Sequence, residues 1–321
     1  MHDHGAQGSP SARSEDFHRD GFVVCRELFT AEECGELLSE VVAGWGSYPS
    51  SYLHAARFRR HQPLEMSSVV RSAVCRLAHE GESVLGAFLG PSTALAELSS
   101  ITVFPGAEAQ VIHHDEFVEG KRLISIFVNL APTTKEAGAL IVCPGSHAPP
   151  LPNERGEPVS VELPAGSAVF MNGKLRHGGG ANTAADRFRP VFYASFGDLD
   201  IAGPVYSIRD DHRARYTLDN FLPRAFADDE VVTIPPEVTA FRHLDGSGNL
   251  AVSRRTSTTG SGRLVETIEG DEDVALLFER LSRGQISVGQ LASETQSAVE
   301  EIREFLNSLW LAGLIAVVPR G

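Results

Sequence analysis

Positive charge is what this sequence lacks most: 28 Lys+Arg stand against 42 Asp+Glu in 321 residues, a formal net charge of -14. That deficit argues against nucleic acid or an anionic membrane as the main partner, because both are bound by clustered cations. Cysteine is sparse as well. Cys25, Cys34, Cys75 and Cys143 form no C-x-x-C pair, so neither a zinc ribbon nor a dithiol redox motif is supported. In apolar runs such as Phe22-Val-Val-Cys25 these thiols are expected as buried small hydrophobes. No apolar run approaches the roughly 20 residues that a membrane-spanning helix needs. Residues 1–14 lack the apolar stretch of a secretory signal, so a cytoplasmic setting is the expectation.

What is present has a clear order. Residues 1–14 are small and polar and read as a flexible tail, His2 and His4 included. Thr30-Ala-Glu-Glu33 has the form of a capping box, and Cys34, Leu37, Leu38 and Val41 then recur at helical spacing. Residues 45–65 look irregular and hold a basic cluster with Arg57, Arg59 and Arg60, read as a solvated loop with an anion site as the rival. Residues 66–90 look helical. From Ser99 onward come short β-rich runs broken by Gly, Pro and Asn: Ile101–Phe104, Leu123–Val128, Ala139–Val142, Ser167–Phe170 and Pro190–Phe196. Helices followed by many short strands indicate an α+β chain in which a jelly roll carries a helical cover. Near Glu230 the character shifts again. Expected strands near 238–241, 250–253 and 264–268 precede three amphipathic segments, the last bearing Ile302, Phe305, Leu306, Leu309 and Trp310. The reading is therefore a tail over 1–14, a main domain over 15–230 and a small domain over 231–321.

The chemistry gathers at His113-His114-Asp115. On a strand, residues two apart share a face, so His113 and Asp115 can offer an imidazole nitrogen and a carboxylate oxygen to one metal. A second imidazole completes a 2-His-1-carboxylate triad, which leaves open positions on Fe(II) for a 2-oxo acid and O2. His177 is the choice for that ligand, because His177-Gly-Gly-Gly lets the backbone approach a site closely. His114 is expected to face away, and His147 to sit in a Pro-Gly-Ser-His turn that supports the pocket. After His177 comes Asp186-Arg-Phe-Arg189, leading into a strand. An Arg there can point inward, with a planar fork suited to a carboxylate.

These residues resemble the phytanoyl-CoA dioxygenase-like Fe(II)/2-oxoglutarate oxygenases, from about Phe17 to Phe196. Gln110-Val-Ile-His113-His-Asp115 is similar to that family's metal-binding strand. Glu136-Ala-Gly-Ala-Leu-Ile-Val-Cys-Pro-Gly-Ser-His147 is similar to its Pro-Gly-Ser-His stretch. The resemblance implies a double-stranded β-helix (jelly roll, cupin-like) and iron on His113, Asp115 and His177. It further implies 2-oxoglutarate and O2 as co-substrates, Gln110 beside the site and Arg189 as the carboxylate clamp. Hydroxylation is the reaction implied, since a halogenase of this type needs a small residue in place of Asp115. Two departures bear on the clamp. Family members often carry Ser or Thr where this chain has Gly179, so Arg189 needs another donor beside it. The segment from His177 to Arg189 also looks one residue longer than usual, which keeps Arg187 open as a rival.

Residues 231–321 resemble a winged helix, and more narrowly the leader-peptide recognition element of ribosomal-peptide biosynthesis. If so, an edge strand takes a leader peptide by β-augmentation and the substrate is a residue of the attached peptide. The competing expectations are a small-metabolite hydroxylase with a structural C-terminal domain, and a cupin-like binding protein without catalysis. DNA binding is disfavoured, because this segment has no Lys and more Asp+Glu than Arg.

Overall fold

The computed structural model describes residues 10–46, 58–90, 92–115, 120–148, 156–198, 207–210, 212–213, 215–236, 238–242, 250–255, 263–268 and 272–319. By packing, the chain divides into one unit of residues 1–65 and 76–218 and a second of residues 66–75 and 219–321.

The first unit is built on a six-stranded antiparallel sheet in the order β1-β7-β4-β9-β3-β2. Its strands are β1 (Phe22–Cys25), β2 (Arg59–Pro63), β3 (Ala94–Val103), β4 (Leu123–Asn129), β7 (Ala168–Asn172) and β9 (Arg189–Gly197). A smaller antiparallel sheet, β6-β5-β8, comprises β5 (Leu140–Val142), β6 (Val159–Val161) and β8 (His177–Gly179). A bridge between His113 and His177 extends it by one position. Phe22, Val169 and Met171 of the large sheet pack with Val142, Val161 and Leu163 on the other side in one apolar cluster. Two antiparallel sheets closed on a shared core make this a jelly roll. Helices α1 (Pro10–Asp20), α2 (Ala31–Ala43) and α4 (Glu82–Phe88) accompany the sheets.

Helix α2 begins as its sequence predicts. The Thr30 side chain accepts from the Glu33 N–H at 3.2 Å and the Glu33 carboxylate accepts from the Thr30 N–H at 2.8 Å. Cys34, Leu37 and Val41 form the buried face. The expected tail over 1–14 is too long, because α1 already starts at Pro10. There Arg13 donates to the Glu80 carbonyl and carboxylate at 3.2 and 3.3 Å, and Phe17 is fully buried. His2 and His4 lie outside the described residues. The loop expected at 45–65 contains strand β2, and β3 begins well before the expected Ile101.

The second unit carries a three-stranded meander of β11 (Val238–Arg242), β12 (Leu250–Arg255) and β13 (Arg263–Ile268), with β12 in the centre. A separate small sheet joins β14 (Ile286–Ser287), β10 (Val231–Thr233) and β15 (Ala316–Val317). Helices α5 (Glu272–Ser282), α6 (Val288–Thr295) and α7 (Val299–Leu311) bury Leu281, Leu291, Ile302 and Leu306 in one core with Val232 and Phe226. This unit starts earlier than the expected residue 231 and also takes in the first part of α3 (Ser68–Glu80). Arg71 contributes to this, its guanidinium donating to the carbonyls of Leu311, Asn220 and Trp310 at 2.5, 2.7 and 3.0 Å. Such a hub joins segments far apart in sequence, and no local pattern announces it.

Candidate metal centre and co-substrate pocket

Inside the first unit lies a cavity of about 340 Å³ lined from both sheets. Its polar end is set by the pairing of His113 with His177. The His113 N–H donates to the His177 carbonyl at 2.8 Å and the return bond is 2.9 Å, so the two side chains are direct cross-strand neighbours. Their rings stand 4.6 Å apart between centroids. Asp115, two residues on from His113, is anchored by its N–H to the Gly173 carbonyl at 3.0 Å. Its carboxylate oxygens lie 3.6 Å from His113 Nε2 and 3.5 Å from His177 Nε2. One ligand atom from each of the three residues falls within 4.8 Å of the others.

Backbone carbonyls fix the tautomers. His113 Nδ1 is 2.8 Å from the Val111 carbonyl oxygen, and His177 Nδ1 is 2.9 Å from that of Leu175. A carbonyl only accepts, so each Nδ1 carries the proton and each Nε2 offers its lone pair towards Asp115. Burial pushes the His177 imidazole below its ordinary pKa, against the pull of Asp115, which favours the neutral ligand form. Two neutral imidazoles and one carboxylate on one side of a cavity match the facial donor set of non-haem Fe(II).

Arg189, the first residue of β9, points into the same cavity and is 6% exposed. Its Nε has no hydrogen-bond partner, and no carboxylate pairs with its guanidinium among the described residues. Burial first, then the charge of Arg59, push its pKa down to about 9. A buried cation without a counterion is costly unless a ligand supplies the anion, so the residue fits a carboxylate-bearing co-substrate. Arg187 does not fit. Its side chain is 71% exposed beside Asp186 and it is absent from the cavity wall. On a strand, one residue in two faces inward; Arg189, Val191 and Tyr193 of β9 do so, while Arg187 lies before the strand begins. Asn182 secures this longer connection, donating to the carbonyls of Val103 and Arg187 at 3.1 and 2.8 Å.

Gln110 also lines the cavity, and its Oε1 accepts from the Gly179 N–H at 2.7 Å. His147 is not in the ligand cluster. Its Nε2 is 3.2 Å from the His18 carbonyl, in the supporting turn. His114 departs from expectation, since it borders the cavity, yet its Nδ1 is engaged with the Lys174 carbonyl at 2.6 Å and it lies outside the ligand cluster.

Sequence reasoning missed a second polar group in the cavity. His61 Nε2 lies 2.6 Å from the Tyr193 hydroxyl, and Ser195 donates to Glu97 at 2.6 Å. Burial, reinforced by Glu97, holds the Tyr193 phenol well above its usual pKa and therefore protonated. The remaining wall is apolar, with Leu123, Phe127, Val161 and Val169.

The model of the phytanoyl-CoA dioxygenase (PhyH) family matches residues 17–191, more than half of the chain and all three candidate ligands. The chain belongs to the PhyH family. Dioxygenase FrzG of Cladobotryum sp is 29% identical over 233 residues, covering 60% of this chain and 75% of that protein. Dioxygenase aneA of Aspergillus aculeatus is 32% identical over 104 residues, covering 28% of this chain and 35% of that one. Among solved structures, SnoN, a non-haem alpha-ketoglutarate dependent epimerase from nogalamycin biosynthesis, aligns at 22% identity. That alignment covers 58% of this chain and 81% of SnoN, with a TM-score of 0.49. AviO1 of Streptomyces viridochromogenes Tue57 aligns at 18% identity over 62% of this chain and 99% of its own, with a TM-score of 0.45. A PhyH-family chain with this donor set is a 2-oxoglutarate-dependent dioxygenase that uses Fe(II).

Proposed function

We propose that this PhyH-family oxygenase hydroxylates an unactivated C–H bond of a small organic group admitted to the cavity, with Fe(II) held by His113, Asp115 and His177. Arg189 takes the distal carboxylate of 2-oxoglutarate. One observation carries the reading: three metal donors and an unpaired buried guanidinium open into the same cavity. When bound, iron and 2-oxoglutarate supply the oxidising power, as O2 gives one oxygen atom to succinate and one to substrate while CO2 leaves.

The chain's own residues do the rest. The carbonyls of Val111 and Leu175 hold the two imidazoles in the ligating tautomer. Gln110 fixes β8 through Gly179, which keeps His177 in register with His113. Leu123, Phe127, Val161 and Val169 exclude water. His61, Tyr193 and Glu97 present donors and an acceptor that orient the substrate, and orientation selects the C–H bond.

A second reading concerns what brings the substrate. In the second unit β12 is central and β11 and β13 are the outer strands of their sheet, followed by three helices. An outer strand whose far edge pairs with no other strand among the described residues suits β-augmentation by an extended peptide, which supports a winged-helix-like recognition module for a leader peptide. The hydroxylated group is then a side chain of that peptide. On the other reading the unit is structural and the substrate is a free metabolite.

Both readings are tested by Fe(II)- and O2-dependent succinate release with size-separated extracts of the producing cells. Stimulation by the peptide fraction, lost when residues 231–321 are deleted from a protein that still binds iron, supports the peptide reading. Stimulation by the small-metabolite fraction alone supports the metabolite reading. No stimulation by either, with iron bound, counts against hydroxylation of a cellular substrate.

A further inference from the structure

Arg59 belongs to a strand that its sequence disguises. In the register of the large sheet Arg59 pairs with Val103, and Val103 pairs with Arg189, so the two arginines stand in one row across three strands. Residues in such a row share a face of the sheet. Arg59 itself is absent from the cavity wall; it reaches the site from behind Gly179, which does line the cavity.

Three observations define what it does there. Its Nη2 is fixed by the carbonyls of Glu108 at 2.5 Å, Gly180 at 3.0 Å and Gly179 at 3.4 Å, while its buried Nη1 has no hydrogen-bond partner. No carboxylate pairs with Arg59 or Arg189 among the described residues, so a buried guanidinium and a half-buried one, the latter with its Nη1 buried, lie close together with no counterion among them. Lastly, Gly179 leaves an opening at their meeting point. A Cβ on Gly179 would lie 2.8 Å from Gln110 Oε1, 2.9 Å from Arg59 Nη1 and 3.3 Å from Arg189 Nη2. Any side chain at 179 must displace one of these groups, so glycine at 179 and arginine at 59 depend on each other. Two converging guanidinium groups cost the empty fold stability and are explained by an anion that neutralises them.

We propose that Arg59 supplies the second positive charge of the co-substrate site, holding the distal carboxylate of 2-oxoglutarate together with Arg189 through the opening at Gly179. This rests on the reading of Arg189 given above. It makes Arg59 a positioning and specificity residue. It favours 2-oxo acids with a distal carboxylate over those without one.

The test is calorimetric titration of iron-loaded protein without oxygen, using 2-oxoglutarate and 2-oxobutanoate, which lacks the distal carboxylate. Arg59→Gln keeps a polar side chain, and Arg59→Lys keeps the charge. Each variant is first shown to bind iron. The expected result is that Arg59→Gln weakens 2-oxoglutarate binding by roughly tenfold and leaves 2-oxobutanoate within about twofold, while Arg59→Lys restores most of the loss. Unchanged 2-oxoglutarate binding in Arg59→Gln overturns the proposal. So does an equal loss for both ligands, or an Arg59→Lys protein as weak as Arg59→Gln. Arg189→Gln is the separate control. If it binds 2-oxoglutarate as tightly as the parent, the clamp reading itself fails, whatever Arg59 shows.

Discussion

Arg189 shares a cavity with Asp115, yet no ion pair joins them; the carboxylate is turned instead to His113 and His177 at 3.6 and 3.5 Å. On the function proposed above, the acid serves the metal and the guanidinium is left for a ligand. This separation gives the site two poles, and each can be tested on its own.

The guanidinium pole carries a stability cost. Burial and the neighbouring Arg59 lower the Arg189 pKa to about 9. For a cation whose folded pKa lies below its unfolded one, the charged form strains the fold at every pH below about 9. Replacing Arg189 by Met is therefore expected to raise the melting temperature of the ligand-free protein, by an amount on the order of 1–4 kcal/mol in stability. The same variant loses 2-oxoglutarate binding. Thermal unfolding at pH 7.5 with and without ligand checks both, and a ligand-free protein that melts lower than the parent would contradict the argument.

At the metal pole, His177→Ala and Asp115→Ala each remove one of three protein donors. Iron affinity is expected to fall by at least about tenfold, while the jelly roll stays folded because the β5–β8 pairing is made by backbone. Metal analysis after dialysis and far-ultraviolet circular dichroism separate these outcomes. Retention of a full equivalent of iron by both variants would remove them from the ligand set.

Tyr193→Phe deletes the hydroxyl that lies 2.6 Å from His61 Nε2 and leaves the packing volume almost unchanged. The expected loss of stability is about 1 kcal/mol. If Tyr193 orients the substrate, as proposed, KM for the organic substrate should rise while KM for 2-oxoglutarate holds. An effect confined to 2-oxoglutarate would place Tyr193 in the other half of the site.

In the second unit Leu306 is fully buried in the core of α5, α6 and α7. Leu306→Ala is expected to cost about 2–5 kcal/mol. Hydrogen exchange should show lost protection in α6, α7 and β10, with β7 and β9 retaining theirs. Uniform loss across both units would mean that they unfold as one.

How far the sequence disclosed this molecule depended on which force shaped each segment. The pairing of His113 with Asp115 was legible from their spacing, although the expected strand there is only a single bridge at His113 and His114 also borders the cavity. Thr30 with Glu33 was legible because a capping box is local. The inward placement of Arg189 was legible from its position at the start of a strand; Arg187 precedes that strand and is exposed. Strand β2 was not legible. Its cavity-lining residue is His61 and its buried ones are Gln62 and Pro63, and a pattern search that expects apolar residues inside reads Arg-Arg-His-Gln-Pro as a solvated loop. In β3, where Glu97 lies, residues Leu95–Ser100 are buried without a break, so no alternation marks which side chain faces the cavity. The helix at Pro10 and the join made by Arg71 rest on long-range hydrogen bonds, which no local window contains.

The central claim is that His113, Asp115 and His177 hold an iron at which 2-oxoglutarate is oxidised by O2. It is tested most directly by incubating iron-loaded protein with 2-oxoglutarate under heavy-oxygen gas and analysing the succinate by mass spectrometry. The account predicts succinate carrying one heavy oxygen atom, formed by the parent protein and abolished in His177→Ala and by a chelator. Succinate without the label, or equal amounts from His177→Ala, would contradict it.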